Sequence, residues 1–387
     1  MFKVVFFSQA ILYLIIAPVI KQAMVFGYDA LLFFAVTGCL SLALGFKIYK
    51  KNDEKASTKL IPNRLLMPAV LVLAVLYCYV SFTFDLINRR QGSEQMALVF
   101  SQLPIWALFI VRVYEIIFLP ALIIFLKSGD SILASEKYSF LTIILFSVPF
   151  MGLADSRGRL LVMALSVIIF YKYNTVRSFL RRSLSFYAAS AAAISVFATV
   201  SIARAQGYAR LSDFYLIEIV YRVDGMNLIR SVFDYGEFRF WGTYDWDMFR
   251  VAIAKIPFLA EAQYLKSIGQ TSTKQYILQN VLGFSRLDDS NSMITDPIYF
   301  GGIPWLIILF ILLGYYIAKF DEAVKKGRAF SNPFFAAIYF SFGLSFIMIE
   351  SDLFGALLAM IQIFPVLLLI FLFGCKRVQV GAQLYKS

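Results

Sequence analysis

Runs of about 20 apolar residues recur along this chain, the length at which a helix crosses a ~30 Å hydrocarbon core. Hydrophobic residues make up 60% of the 387 positions and charged ones 16%, against roughly 45–50% and 25% in soluble domains. Ten spans are expected, at about 4–20, 28–46, 66–86, 104–126, 139–154, 160–171, 184–202, 300–318, 332–349 and 353–373. The expected fold is an all-α integral membrane protein of about ten transmembrane helices with one large helical loop. Its three parts are residues 1–202 with spans one to seven, the loop at 203–299, and residues 300–387 with the last three spans and a tail.

Charge sets the expected orientation. The segments 47–65, 172–183 and 319–331 carry six, four and four basic residues, and the tail from Gly374 carries three. All fall on one side if the N-terminus is inside, so the positive-inside rule places both termini in the cytoplasm and residues 203–299 outside. A single lysine precedes a full-length first run and no A-x-A-like site follows, so a cleaved signal is not expected. These basic segments, facing anionic lipid, account for much of the net charge of +12.

The loop holds ten of the 36 basic and eleven of the 24 acidic residues. Within it, 211–231 reads as an amphipathic helix, with Glu218, Arg222, Met226 and Arg230 recurring along a polar stripe. Residues 241–258, with two Trp, a Tyr and two Phe among charges, suit a helix lying in the membrane interface. Residues 272–282 read as a third helix, with Ser272 as cap and Gly283 as stop. Two short outer turns, Asp155–Arg159 and Glu350–Asp352, are expected to open under this loop.

The chain has no histidine. That removes His-based zinc sites, Ser-His-Asp triads and any imidazole base. No P-loop, dinucleotide fingerprint or nucleic-acid module is present, no cofactor is implied, and no spacing demands a metal. Cys39 and Cys78 lie in apolar runs and read as small core residues without a disulfide. The remaining polar chemistry falls to carboxylates and arginines. Arg157, Arg159, Arg204, Arg210, Arg222, Arg230 and Arg286 are candidates for holding phosphate or pyrophosphate, because guanidinium stays charged and matches phosphate oxygens. Ion pairing with the loop's own acids is the alternative for each. Asp155, Asp224, Glu350 and Asp352 are the outer proton acceptors. Glu350 and Asp352 stand out because no basic residue neighbours them in sequence. Arg112 and Glu115, three apart inside the fourth span, either pair with each other or line a cavity.

The tight ADSRGRL turn at 154–160, the arginine-rich segment 204–230 and DPIYFGGIPWLIILFILLGYY at 296–316 resemble Wzy-type O-antigen and polysaccharide repeat-unit polymerases, and the architecture is similar over the whole chain. The chain departs from the Arg-x10-Gly spacing described in some members, since Arg230 to Gly242 is one residue too long. The resemblance implies a GT-C-like glycosyltransferase of the bacterial inner membrane. Its substrates would be oligosaccharide units on undecaprenyl pyrophosphate, joined outside without nucleotide sugar. A flippase and a chain-length regulator would be partners. It implies that Asp224, Glu350 or Asp352 activates the acceptor hydroxyl and that the arginines serve the pyrophosphates. An O-antigen ligase and a membrane acyltransferase are the nearest rivals, and both commonly use a histidine. A polysaccharide flippase or other transporter is the rival of a different class.

Overall fold

The computed structural model describes residues 1–20, 31–50, 58–84, 86, 103–128, 162, 165–172, 224–255, 261, 264–265, 268, 272–284, 291–350 and 352–379. Its elements in chain order are α1 (Phe2–Ile20), α2 (Leu32–Ile48), β1 (Thr58–Pro62), α3 (Leu66–Thr83), α4 (Ile105–Ser128), α5 (Asn227–Asp234), α6 (Thr273–Tyr276), α7 (Thr295–Lys325), α8 (Pro333–Ser345), α9 (Leu353–Gly374) and β2 (Cys375–Gln379).

Helices α1, α3, α4, α7 and α9 are long and apolar enough to cross a membrane, and α2 and α8 are shorter apolar helices. These seven coincide with seven of the ten expected spans. The expected spans at 139–154 and 184–202 lie outside the described residues. Of the span at 160–171, the end is seen as a π-helical turn, Val167–Lys172.

The described residues are mostly helical, compatible with the expected all-α membrane class, with one small addition and one shortened span. The addition is a two-stranded ribbon: β1 pairs antiparallel with β2, Thr58 opposite Gln379 and Pro62 opposite Cys375. The span expected at 332–349 is a helix of only 13 residues, with Pro333 at its first turn and Asn332 capping through Phe335 N–H at 2.9 Å. At ~1.5 Å per residue it covers about 20 Å, less than a bilayer core. Residues 346–350 continue as irregular backbone with Phe346, Ile347 and Ile349 buried. Such backbone is tolerated at membrane depth only where protein or a cavity satisfies it. Gln9 of α1 does so, its Nε2 donating to Ile347 O and its Oε1 accepting from Ile349 N, both at 3.1 Å.

The bundle core is set by α2 against α7, where glycines let the backbones touch. A Cβ on Gly45 would lie 2.2 Å from Ile311 O, and one on Gly314 2.3 Å from Leu42 O. Small residues permit this approach in membrane helices. Phenyl rings fill the neighbouring layer: Phe170 stacks on Phe340 at 4.4 Å and meets Phe320 edge-on at 5.1 Å.

The bundle has two chemically distinct ends. At one, Phe2 N–H donates to Asp321 at 2.9 Å, Thr58 Oγ1 to Ser331 O at 2.8 Å, and Asn63 N–H to Gly374 O at 2.7 Å. Three of the four basic segments and the N-terminus therefore gather at one end. The described part of the 203–299 loop packs at the other.

Candidate functional site

The loop end is organised around a break in α7. Gly302 adopts φ 68°, ψ −160° inside the helix, a conformation glycine reaches without a Cβ clash. Pro304 two residues on has no N–H to return to Phe300 O. Segment 240–244 makes use of both features. Tyr244 N–H donates to Phe300 O at 2.8 Å, Thr243 N–H to Tyr299 O at 2.9 Å, and Ile303 N–H to Phe240 O at 3.1 Å. The freed helix groups are thus paired by the loop. The interfacial helix expected over 241–258 is a 3-10 helix, Trp246–Lys255, with Trp241 64% and Trp246 71% exposed. Phe249 turns the other way, onto Phe300 at 5.0 Å and Phe354 at 4.6 Å.

The expected helix at 272–282 is present. Ser272 accepts from Gln275 N–H as its cap, the helix continues through Val281, and Gly283 ends it at φ +66°. It carries two contacts absent from the sequence reading. Tyr276 donates to Asp245 at 2.9 Å, and Tyr299 donates to the same Asp245 oxygen at 3.2 Å. Burial, and then the bond to Asp245, push the Tyr276 phenol above its ordinary range. Thr273 Oγ1 donates to Asp296 at 2.9 Å, and Asp296 in turn accepts from Phe354 N–H at 3.0 Å. Fully buried Asp296 therefore ties α6, α7 and α9 together.

The continuous helix expected over 211–231 is corrected in its described part. Helix α5 starts at Asn227, and Met226, placed on the polar stripe by spacing, is fully buried. The cause is tertiary. Gly225 is held on both sides, its N–H donating to Tyr13 O at 2.9 Å and its carbonyl accepting from Ser292 Oγ at 2.7 Å. A Cβ there would lie 2.8 Å from Ser292 Cβ. Tyr13 sits in a π-helical turn of α1, Leu12–Ile16. Such a turn interrupts the regular ladder and is frequent at functional sites.

Asp224 immediately precedes this clamp and is fully buried. One oxygen accepts from Met226 N–H at 3.1 Å, and the other from Arg230 Nη1 at 3.0 Å. Arg230 also reaches Asn227 Oδ1 at 3.4 Å. The ion pair places Arg230 in the role of a loop-internal partner. Arg112 and Glu115 likewise pair with each other at 3.2 Å.

Glu350 and Asp352 lie at the end of the irregular segment under the loop. Tyr13 Oη donates to Glu350 at 3.5 Å, and Asn291 Nδ2 donates to Asp352 at 2.7 Å. Met293 N–H donates to Ile349 O at 2.9 Å. The short segment Asn291–Ser292–Met293 therefore bridges Gly225 on one side and residues 349–352 on the other. It brings Asp224, Arg230, Glu350 and Asp352 into one region, with Tyr13 between them. Arg157, Arg159, Arg204, Arg210, Arg222, Arg286 and Asp155 lie outside the described residues.

The carboxylates differ in what they offer. Asp224 has both oxygens engaged in a dry setting, which suits fixing the loop. Glu350 is exposed, and Asp352 is half-buried beside a neutral amide. Among the described residues no group of three or more acids or cysteines could hold a metal ion. The sequence reading missed Tyr13, Asn291 and Ser292. A tyrosine in an apolar run reads as an interfacial residue, and a polar residue in a loop carries no periodic signal. No family model matches the chain, and no curated relative or solved structure matches it either.

Proposed function

We propose that the chain is a polymerase that joins oligosaccharide repeat units carried on undecaprenyl pyrophosphate into O-antigen or a related surface polysaccharide. The observation that supports this best is that Tyr13 and the segment 291–293 link Glu350 and Asp352 to Gly225, next to the Asp224–Arg230 pair, at the bundle end away from the basic segments. In a bacterial inner membrane with the basic end cytoplasmic, that region faces outward. The fold would be a GT-C-like one.

The acceptor hydroxyl oxygen bonds to the anomeric carbon of the growing chain as that carbon's bond to the pyrophosphate oxygen breaks. The electron pair leaves with the lipid pyrophosphate, and the hydroxyl proton passes to a carboxylate. Asp352 is the better candidate for the base, with Glu350 beside the same segment, because Asn291 Nδ2 holds its carboxylate in a fixed direction. Asp224 holds the loop. Arginines offset the charge developing on the leaving pyrophosphate. Arg157, Arg159, Arg204, Arg210, Arg222 and Arg286 are the candidates, and Arg230 contributes if it turns from Asp224. A flippase supplying units and a chain-length regulator are the expected partners.

The test is the surface-polysaccharide ladder of a deletion strain. Retention of a single repeat unit with loss of the ladder supports a polymerase. Loss of all surface glycan supports a flippase, and an unchanged ladder contradicts the proposal.

A further inference from the structure

We infer that Asn291 and Asp352 together form a seat for two neighbouring hydroxyls of the acceptor sugar, one of them the attacking group. The inference rests on the polymerase reading above.

Asp352 occupies the N-cap position of α9 with extended backbone, φ −65° and ψ 133°. An aspartate there ordinarily accepts from the N–H two or three residues on, a bond worth about 1 kcal/mol. Asp352 makes no such bond. Asp296 supplies the cap instead, accepting from Phe354 N–H across 58 residues of sequence. The carboxylate of Asp352 is released from the duty its position would give it, and it faces Asn291.

Asn291 is 2% exposed, and its Nδ2 is committed to Asp352. That bond fixes the direction of the amide. Its Oδ1 is buried and meets no donor among the described residues. Nearly all buried polar atoms are paired, and an orphan calls for an explanation. Asp352's second oxygen also has no donor among the described residues, and the residue is half-buried. The pair thus presents two acceptors, one neutral and one charged. Two anomalies at one place, an unused cap and an orphan acceptor, mark a site that a ligand completes.

Adjacent hydroxyls on a pyranose ring supply two such donors. The hydroxyl at Asp352 gives up its proton to the carboxylate as its oxygen bonds to the anomeric carbon. The neighbouring hydroxyl donates to Asn291 Oδ1 and sets the ring's orientation. Asn291 is in this account a specificity-determining residue, and Asp352 the base.

The experiment uses the full-length protein in nanodiscs, with preformed lipid-linked chains as donor and single lipid-linked repeat units from the deletion strain as varied acceptor. Asn291→Ala is expected to lower kcat/KM for the acceptor roughly ten- to a hundredfold, raising the acceptor KM and, because Asp352 loses its anchor, lowering kcat as well, while the donor KM stays unchanged. An acceptor lacking the hydroxyl next to the attacking one should lose a similar factor with the wild type and lose nothing further with Asn291→Ala. The wild-type arm of that comparison stands even if the variant fails to fold. An unchanged acceptor KM in Asn291→Ala, or full use of the deoxy acceptor by the wild type, overturns the inference while leaving polymerase activity intact. A magnesium dependence that disappears in Asn291→Ala would make the pair a cation seat and overturn it likewise. No polymer from the wild type overturns the polymerase reading, and this inference with it.

Discussion

Asn291 donates its side-chain amide to Asp352 at 2.7 Å, joining residues 61 apart at the mouth of α9. The bond holds the loop's return segment against the turn between the last two helices. On the reading proposed above, it also aims the carboxylate that accepts the proton. Four further relationships lead to measurements of their own.

Asp296 accepts from both Thr273 Oγ1 and Phe354 N–H while fully buried. Asp296→Ala removes both bonds and is expected to cost about 2–4 kcal/mol, from two bonds at ~1–2 kcal/mol each. Asp296→Asn keeps a carbonyl for Phe354 N–H and can donate to the Thr273 hydroxyl, so its cost should stay below about 1 kcal/mol. Melting of the two purified variants in detergent separates them, and equal losses would refute the capping role.

Gly225 lies between Tyr13 O and Ser292, where a Cβ would come within 2.8 Å of Ser292 Cβ. Gly225→Val forces the loop off α1, with an expected cost of about 1–3 kcal/mol and loss of polymer. Gly236→Ala is the control: its φ of +75° adds a backbone strain that Gly225 does not share, but nothing stands within 4 Å of its Cβ. It should be expressed and polymerise normally. Expression and ladder length read out both.

Asp224 and Arg230 form a pair whose acid is fully buried and whose base is 23% exposed. Breaking such a pair leaves a dry, uncompensated charge and costs up to about 3–5 kcal/mol. Arg230→Gln should therefore destabilise strongly, and adding Asp224→Asn should restore part of the loss. A double-mutant cycle on thermal midpoints measures the coupling. Additive losses would show that the pair contributes nothing beyond its separate residues.

Gly45 and Gly314 allow α2 and α7 to meet backbone to backbone. Carbonyls cannot move aside as a side chain can. Gly314→Leu is expected to prevent recovery of monodisperse protein. A normal size-exclusion profile would contradict the crossing.

The parts of the fold legible in the sequence were those set by local rules. Apolar runs placed α1, α2, α3, α4, α7, α8 and α9, and Ser272 and Gly283 marked the ends of a loop helix correctly. What periodicity could not supply was tertiary override. Met226 falls on a polar stripe by spacing, yet the clamp on Gly225 turns it into the core and delays α5 until Asn227. The β1–β2 pair joins segments more than 300 residues apart, each too short to announce a strand. Glu350 and Asp352 were singled out because no cation adjoined them in sequence; in the fold Tyr13 bonds to Glu350 and Asn291 to Asp352, each from far along the chain. Nothing in the chain marked those partners, because a single tyrosine or asparagine carries no spacing of its own.

The most direct measurement of the central claim is reconstitution of the purified protein with lipid-linked repeat units alone. The account predicts a ladder of chains without nucleotide sugar, one undecaprenyl pyrophosphate released for each linkage formed, and loss of both with Asp352→Asn. Units that remain single in the presence of folded wild-type protein would contradict it.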